Sequence, residues 1–424
     1  MVRLEENKHG TENKTIETLP LPVKAYIPLS QHLGKICVAQ VKVADTVLTG
    51  QKIAGVQTHV SSPVHASISG KISSIQDWPH PVLGMCKAIV IESDGLDKLF
   101  SATQTTNISP NKITPEEIRK IVFEAGIVGM GGASFPSHIK LAPPKPVDTL
   151  IVNGAECEPY LTCDHRLMIE RTEEILKGIE LAQRCLEVKN IIIAIEDNKP
   201  EAIKKFDGLI LNKQYTIRVL KSQYPQGGEK QLIKKILRKE VPSGKLPFDV
   251  GVVVHNVSTL FAIYEAVYKN KPLYERVVTV TGSCVSNPKN LLVRIGTPIK
   301  ELIAYCGLKE EPAKIIIGGP MMGIAQYTDA VPVIKCTSGL VLMNEKEALV
   351  QEEEFCIRCG ACVRACPMGL MPCLINLASE KEIWTEAKAY NALDCIECGL
   401  CNYVCPADRN LTQSIKRAKL EVNK

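Results

Sequence analysis

The stretch Cys356-Ile-Arg-Cys359-Gly-Ala-Cys362-Val-Arg-Ala-Cys366-Pro367 returns, with the same spacing, as Cys395-Ile-Glu-Cys398-Gly-Leu-Cys401-Asn-Tyr-Val-Cys405-Pro406. In the spacing C-x2-C-x2-C-x3-C-P, three thiolates of one loop reach three irons of a [4Fe–4S] cube, and the fourth cysteine ligates the other cube. The sequence therefore predicts two cubes. One would be held by Cys356, Cys359, Cys362 and Cys405, and the second by Cys366, Cys395, Cys398 and Cys401.

Two zinc sites are the alternative interpretation of eight cysteines. Structural zinc is usually held by pairs of C-x2-C knuckles rather than by four cysteines that close on Cys-Pro. The pattern instead resembles that of bacterial two-cluster ferredoxins, whose cubes carry single electrons. The rest of the chain must therefore supply and remove those electrons.

The composition of the chain is that of a globular protein. Its 424 residues suggest about three domains, and its hydrophobic content of 45% and charged content of 23% are ordinary. The net charge is +5 without a long basic run, so no nucleic acid is implied as a partner. The nine cysteines outside the two runs show no disulfide rhythm, which favours a reducing cytoplasm.

The amino-terminal part shows no sign of export or membrane insertion. It has no apolar signal region, and no window approaches 18 consecutive apolar residues. Residues 1–24 are predicted to form an irregular arm, and residues 25–100 a module of short strands. The module resembles the barrel-sandwich hybrid of lipoyl and biotinyl carriers. Because its central hairpin, Ser61 to Ala66, lacks the carrier lysine, we expect a docking platform.

Strands and helices alternate between residues 114 and 270. Thr114, Pro115 and Glu117 form a capping-box start, and the apolar pattern predicts one long helix over residues 165–186. Such alternation predicts a parallel sheet covered by helices, with ligands at the carboxyl ends of its strands.

Four polar or glycine-rich stretches lie at these predicted strand ends or beside them. They are Gly129–Lys140, Asn153–Pro159, Tyr224–Glu229 and Val254–Leu260. The first combines exposed backbone N–H groups with a lysine, which suits a phosphate. A glycine cluster alone can equally be a tight turn, but four stretches in this arrangement indicate a binding crevice.

At these stretches the sequence resembles the flavin- and NADH-binding subunit of respiratory complex I. The resemblance implies a Rossmann-like domain with non-covalent FMN, and NAD(H) stacked on it. FMN would be contacted by Gly129, Gly131, Gly132, Lys140, Asn153, Glu158, Tyr224, Gly227 and Asn256. Phe135 and Glu229 would face NAD(H). The departures from the family pattern are Met130, Gly228, His255 and Ser258, and they bear mainly on dinucleotide affinity.

The remaining segments complete a multidomain α/β architecture. Residues 275–335 are predicted to form a small β-grasp domain, including a strand over residues 331–336. Residues 344–410 would form an α-helical ferredoxin-type domain that opens with a charged helix, residues 344–355, and residues 411–424 a solvated helical tail. We expect the turn Gly318–Gly323 to be structural, with glycines for backbone shape and methionines for packing.

The order of these modules resembles, over nearly the whole chain, the RnfC family of the Rnf ion-translocating ferredoxin:NAD oxidoreductases. The resemblance implies a peripheral subunit on the cytoplasmic side of the bacterial membrane. Its partners would be integral membrane subunits and ferredoxin-like subunits, with ferredoxin reached indirectly. FMN between NAD(H) and the cubes would link two-electron to one-electron chemistry.

Two other functions remain open at this point. The same cofactors could serve a soluble reductase, of the proline-reductase-associated or cobalamin type, because a fold does not fix the electron acceptor. The chain could also be a non-enzymatic scaffold whose flavin site is vestigial, given Met130 and His255.

Overall fold

The computed structural model describes residues 2–56, 58, 60–100, 112–210, 215–348 and 352–423. Within these ranges, no helix combines the length and apolar character needed to cross a membrane.

The first module consists of antiparallel strands, of which β7 and β8 are the longest. The strands from the amino terminus are β1 (Ile16–Thr18), β2 (Lys24–Pro28), β3 (Val38–Ala39), β4 (Thr46–Val47), β5 (Lys52–Gly55), β6 (Val64–His65), β7 (Gly70–His80) and β8 (Gly84–Ser93). Two sheets, ordered β2-β8-β7-β4 and β3-β5-β6, enclose an apolar core. This is the expected barrel-sandwich hybrid, and β1 belongs to a different sheet.

The second domain has a parallel sheet between helices. Its elements are α1 (Pro115–Glu124), α2 (Ser137–Lys140), β9 (Thr149–Gly154), α3 (Cys163–Glu170), α4 (Thr172–Leu186), β10 (Asn190–Glu196), α5 (Pro200–Ile210), β11 (Tyr215–Leu220), α6 (Glu229–Leu237), β12 (Val252–Asn256) and α7 (Val257–Lys269). The strand order is β11-β10-β9-β12, and every pair is parallel. The predicted alternation is confirmed, and so is the capping box at Thr114.

The single long helix predicted over residues 165–186 is wrong. The chain breaks at Arg171, with φ −133° and ψ 35°, into α3 and α4. Thr172 contributes to the break because its hydroxyl donates to the carbonyl of Met168 at 2.6 Å. Such a bond back to the preceding turn is a known cause of helix bending.

The third domain is a mixed sheet with one helix. Its elements are β13 (Glu275–Thr281), β14 (Lys289–Arg294), α8 (Ile299–Cys306), β15 (Lys314–Ile317), β16 (Ile324–Ala325) and β17 (Gly339–Met343). The sheet order is β1-β14-β13-β17-β15-β16. The amino-terminal arm therefore is not wholly irregular, because it supplies the edge strand β1. The strand expected over residues 331–336 is wrong: the segment has one isolated bridge, between Pro332 and Pro298.

The last domain is helical. Its helices are α9 (Glu345–Ala348), α10 (Ala361–Ala365), α11 (Pro372–Glu380), α12 (Trp384–Ala389), α13 (Leu400–Tyr403) and α14 (Leu411–Val422). Of the helix expected over residues 344–355, only α9 is formed among the described residues. Residues 349–351 lie outside the described ranges, and residues 352–360 are not helical. The tail is helical as expected but not simply solvated, since Leu411, Ile415 and Ala418 are buried in the domain core.

Candidate functional site

Side-chain amides at the carboxyl ends of β9 and β12 bond to the segments beside them. Asn153, at the end of β9, donates through Nδ2 to the carbonyl of Gly227, which follows β11, at 3.0 Å. Asn256, at the end of β12, donates to Asp164 at 2.6 Å and caps α7 by accepting from the N–H of Ser258. Three of the predicted flavin contacts therefore lie at one edge of the sheet, where ligands of parallel sheets bind.

The glycine loop lies against this edge. It closes on itself through the N–H of Gly129, which donates to the carbonyl of Phe135 at 2.9 Å. The N–H of Met130 donates to Thr259 at 3.0 Å. A Cβ on Gly131 would lie 2.9 Å from Nδ2 of Asn256, whereas Gly132 has open space around it. The loop thus brings exposed backbone close to the strand ends, as a phosphate cradle requires.

The two charged residues expected in this crevice pair with each other. Lys140 Nζ lies 2.5 Å from Oε1 of Glu229, and each side chain is about one-third exposed. The sequence predicts Lys140 at the FMN phosphate and Glu229 at NAD(H). Their contact places the two predicted subsites side by side.

Several buried polar atoms in these stretches have no hydrogen-bond partner among the described residues. They include Nε2 of His255, Oγ of Ser137 and both polar atoms of the Gln226 amide. Burial lowers the pKa of His255 to about 3. Because buried polar atoms are normally hydrogen-bonded, these orphaned groups fit a site completed by a polar ligand. The residues present therefore fit a flavin phosphate and ring system.

Glu158 and Tyr224 face the other domains rather than the glycine loop. The carboxylate of Glu158 accepts from the N–H groups of Met321 at 3.1 Å and Met322 at 2.9 Å, in the β-grasp turn. The hydroxyl of Tyr224 donates to the carbonyl of Cys398 at 2.8 Å. Burial raises the pKa of Glu158. The hydrogen bonds of these two side chains thus connect the flavin domain to the β-grasp turn and to the dicluster domain.

Several residues at the site were not singled out from the sequence. Asp164 accepts from Asn256 and Ser258, and Thr259 holds the glycine loop. Lys8 of the arm donates to the carbonyls of Glu156, Glu158 and Leu161, at 2.8, 3.0 and 2.5 Å. Thr259 lies within the stretch Val254–Leu260, and Asp164 follows Asn153–Pro159 closely, so position in the sequence is a usable signal for both. Lys8 is about 150 positions from its partners, and no local pattern could have identified it.

The four cysteines predicted for the second cube line one cavity. Its volume is about 340 Å³, including space open to solvent, and its lining includes Cys366, Cys395, Cys398 and Cys401. Cys366 comes from the first run and the others from the second, which is the exchange expected of paired cubes. The donor set and the cavity fit a [4Fe–4S] cube.

The cysteines predicted for the first cube lie in a more open setting. Cys356 and Cys359 are exposed, whereas Cys362 is buried. The N–H of Glu354 donates to the carbonyl of Ala407 at 3.1 Å, which brings the start of the first run toward Cys405. Every described residue from 352 to 359 is exposed.

The second-cube cavity adjoins the flavin domain. Besides the bond from Tyr224, Gln231 of α6 donates to the sulfur of Met368 at 2.9 Å. A Cβ on Gly228 would lie 3.7 Å from the side chain of Ile396. Tyr224, Cys398 and Leu400 form one buried apolar cluster. We therefore call the cube of Cys366, Cys395, Cys398 and Cys401 the inner cluster, and the other the outer cluster.

Comparison with known proteins assigns a domain family to each part of the chain. The RnfC barrel sandwich hybrid domain matches residues 2–96, and the Nuo51 FMN-binding domain residues 122–265. The SLBB domain matches residues 277–325, and the 4Fe-4S dicluster domain residues 348–421. These matches agree with the predicted fold class and cofactors.

Relatives of the whole chain are similar over nearly its full length. One is a subunit of the proton-translocating ferredoxin:NAD(+) oxidoreductase complex of Clostridium ljungdahlii, 46% identical over 99% of this chain and 93% of the relative. Another is a subunit of the Na(+)-translocating ferredoxin:NAD(+) oxidoreductase complex of Acetobacterium woodii, 44% identical over 95% of this chain and 91% of the relative. Among solved structures, an NAD+-reducing [NiFe]-hydrogenase shares the fold at 17% identity and a TM-score of 0.53, over 74% of this chain and 64% of that one. The chain belongs to the RnfC family, whose members are subunits of the ion-translocating ferredoxin:NAD(+) oxidoreductase complexes.

Proposed function

We propose that the chain carries electrons between NAD(H), FMN and two [4Fe–4S] cubes, as a subunit of a ferredoxin:NAD oxidoreductase complex. The observation that carries the proposal is the contact between the inner-cluster loop and the loop after β11, where Tyr224 binds the carbonyl of Cys398. Because of this contact, one electron carrier adjoins the flavin domain. A flavin domain and a dicluster domain in one chain are otherwise difficult to account for.

The residues of the crevice would bind and orient the flavin. Gly129, Gly131 and Gly132 would offer backbone N–H groups to its phosphate, and Lys140 a positive charge. Asn153, Gly227 and Asn256 would fix the ring system at the ends of the strands. Phe135 and Glu229 would contact the nucleotide. FMN, when bound, supplies the exchange between two-electron and one-electron chemistry.

The cysteines would hold the two cubes in series. The inner cluster would adjoin the flavin domain. The outer cluster, with Cys356, Cys359, Cys362 and Cys405, would take its first two ligands from the exposed segment, residues 352–359. This order supports electron exchange with a partner at the outer cluster. The partners we propose are integral membrane subunits and ferredoxin-like subunits, with the chain bound peripherally on the cytoplasmic side of the membrane.

One anaerobic preparation tests the relay. About one FMN and eight irons per chain are expected, the iron count following from two four-iron cubes, and NADH should reduce both cofactors. A full iron complement without flavin would leave only a cluster-bearing adaptor. Co-purification with integral membrane subunits would distinguish the complex from a soluble reductase of another acceptor.

A further inference from the structure

The β-grasp turn Gly318–Gly323 is inserted between the flavin domain and the inner cluster. Glu158 accepts two N–H groups of this turn, with Oε2 on Met321 and Oε1 on Met322. Oε1 also accepts from the hydroxyl of Tyr224 at 3.3 Å. One carboxylate therefore joins two segments of the flavin domain to the turn.

Close approach at this junction depends on two glycines. A Cβ on Gly319 would lie 2.2 Å from Oε2 of Glu158. A Cβ on Gly399, beside Cys398, would lie 2.7 Å from the carbonyl oxygen of Met321, and Gly399 has a φ of +76°. The turn thus touches the carboxylate on one side and the inner-cluster loop on the other.

Tyr224 closes the arrangement. Its hydroxyl lies between the carbonyl of Cys398 and the carboxylate of Glu158, and its ring is buried. The inner-cluster loop is therefore fixed to the flavin domain both directly, by Tyr224, and indirectly, through the turn.

We propose that Glu158, Tyr224 and the turn Gly318–Gly323 are positioning residues that set the separation between the flavin and the inner cluster. This inference rests on the proposed function. It assigns to the β-grasp domain the role of a spacer in the relay. It also gives Glu158 a role outside the flavin site.

Other contacts keep the dicluster domain attached when the junction is weakened. Gln231 binds Met368, and Ser243 donates to Asp394 at 2.5 Å. Both Glu158→Gln and Tyr224→Phe preserve size: the first replaces one of the two acceptor oxygens, and the second removes the hydroxyl that contacts Cys398 and Glu158. We therefore expect both variants to fold with flavin and both clusters, but with the inner-cluster loop displaced.

The test compares the variants with the intact protein as purified anaerobically. After NADH reduces the flavin, stopped-flow absorbance follows electron transfer to the clusters, and electron paramagnetic resonance follows the inner-cluster signal. Both variants should keep about eight irons and their flavin, yet transfer electrons more slowly by on the order of tenfold, since misplacement by about 1 Å can be costly in oriented reactions. The inner-cluster spectrum should change while the outer-cluster spectrum does not.

Matched controls separate this effect from a general one. Tyr327→Phe removes a hydroxyl of the β-grasp domain that donates to the carbonyl of Gly84 in β8 of the first module. Glu347→Gln alters a carboxylate that accepts from the N–H of Asn344. Both controls should match wild type.

Unchanged electron transfer in both variants would overturn the inference. So would loss of flavin from Glu158→Gln, because that residue would then be a flavin ligand. Failure of the proposed function is distinguishable, since NADH would then fail to reduce the clusters in the wild-type protein as well.

Discussion

The ion pair between Lys140 and Glu229 leads to a prediction about FMN affinity. Lys140 is the cation expected at the phosphate, and its partner in the structure is the carboxylate 2.5 Å away. A charge-assisted hydrogen bond contributes about 1.5–3 kcal/mol, so Lys140→Met should weaken FMN binding by roughly 10- to 100-fold. Titration of the deflavinated protein, followed by quenching of FMN fluorescence, measures this.

The control for this prediction is another lysine of the same domain. Lys145 pairs with Asp249 at 2.5 Å, and its side chain is more than half exposed. Lys145→Met should leave FMN affinity unchanged. Equal affinity in Lys140→Met and wild type would place the phosphate elsewhere.

Lys335 predicts a pH dependence of stability. Its buried Nζ donates to the carbonyls of Pro63 and Gly126, both at 2.7 Å, and so joins three domains. Through Pro63, Lys335 reaches the central hairpin of the barrel-sandwich module, Ser61 to Ala66, which lacks the lysine of lipoyl and biotinyl carriers. Burial lowers the pKa of Lys335 from 10.5 to about 7. Between these values the unfolded chain binds the additional proton, so stability should rise with pH.

Urea unfolding measures the effect of Lys335. From pH 7 to pH 9 its contribution should increase the free energy of unfolding by about 2 kcal/mol, and Lys335→Met should remove this increase. His32 and His65 lie nearby, but burial lowers their pKa values to about 4 and about 3, so they titrate below this window. Lys120→Met, on the exposed face of α1, is the control. A rise of equal size in Lys335→Met would show that another group is responsible.

Single residues show what sequence reasoning can and cannot recover at the site. Asn153 and Asn256 could be placed at one edge because they end parallel strands. Glu158 could not be placed, because its partners are backbone N–H groups more than 160 positions away, which no local pattern encodes. The contribution of Lys8 from the arm was hidden for the same reason.

At the scale of elements, periodic patterns were recoverable and short or distant pairings were not. The strands β9 to β12 alternate with helices, and their parallel pairing followed from that alternation. The edge strand β1 has three residues and pairs with β14, with Ile16 opposite Asn290. Such a short strand has no periodicity, and its place depends on a partner remote in sequence.

The exchange of cysteines between the two runs can be tested by single substitutions. Cys366 lies with Cys395, Cys398 and Cys401 around the inner cavity. Cys366→Ala should therefore abolish the inner-cluster signal, although Cys366 belongs to the first run, and leave about four irons per chain. Iron quantitation with electron paramagnetic resonance measures both.

Two comparisons make this experiment decisive. Cys405→Ala should remove the outer cluster instead. Cys373, which packs in the same domain core as a partly buried residue, lies outside the motif, and Cys373→Ala should keep about eight irons. Loss of the outer signal in Cys366→Ala would mean that each run holds its own cube.

The molecule as a whole has electron carriers at different depths. The cavity of the cysteines predicted for the inner cluster adjoins the flavin domain, whereas residues 352–359, which carry two of the cysteines predicted for the outer cluster, are exposed throughout. Within it, Phe355 is 94% exposed and Ile357 67% exposed. Two large apolar side chains at such exposure, beside exposed ligand cysteines, favour a surface that is buried against another protein of the complex.

The double variant Phe355→Ser/Ile357→Ser tests this view of the whole molecule. Neither side chain is packed in the domain core, so NADH-dependent reduction of both clusters should persist. Apolar anchors at an interface each contribute about 1–3 kcal/mol, so binding to the partner subunits should weaken by roughly tenfold or more. Co-purification and electron delivery to the complex measure this loss, with Leu420→Ser, 69% exposed on α14, as the matched control. If the double variant still assembles and delivers electrons like wild type, the outer cluster does not face the partner. In the proposed series from flavin to inner to outer cluster, electrons would then have to reach the partner from another site on the chain.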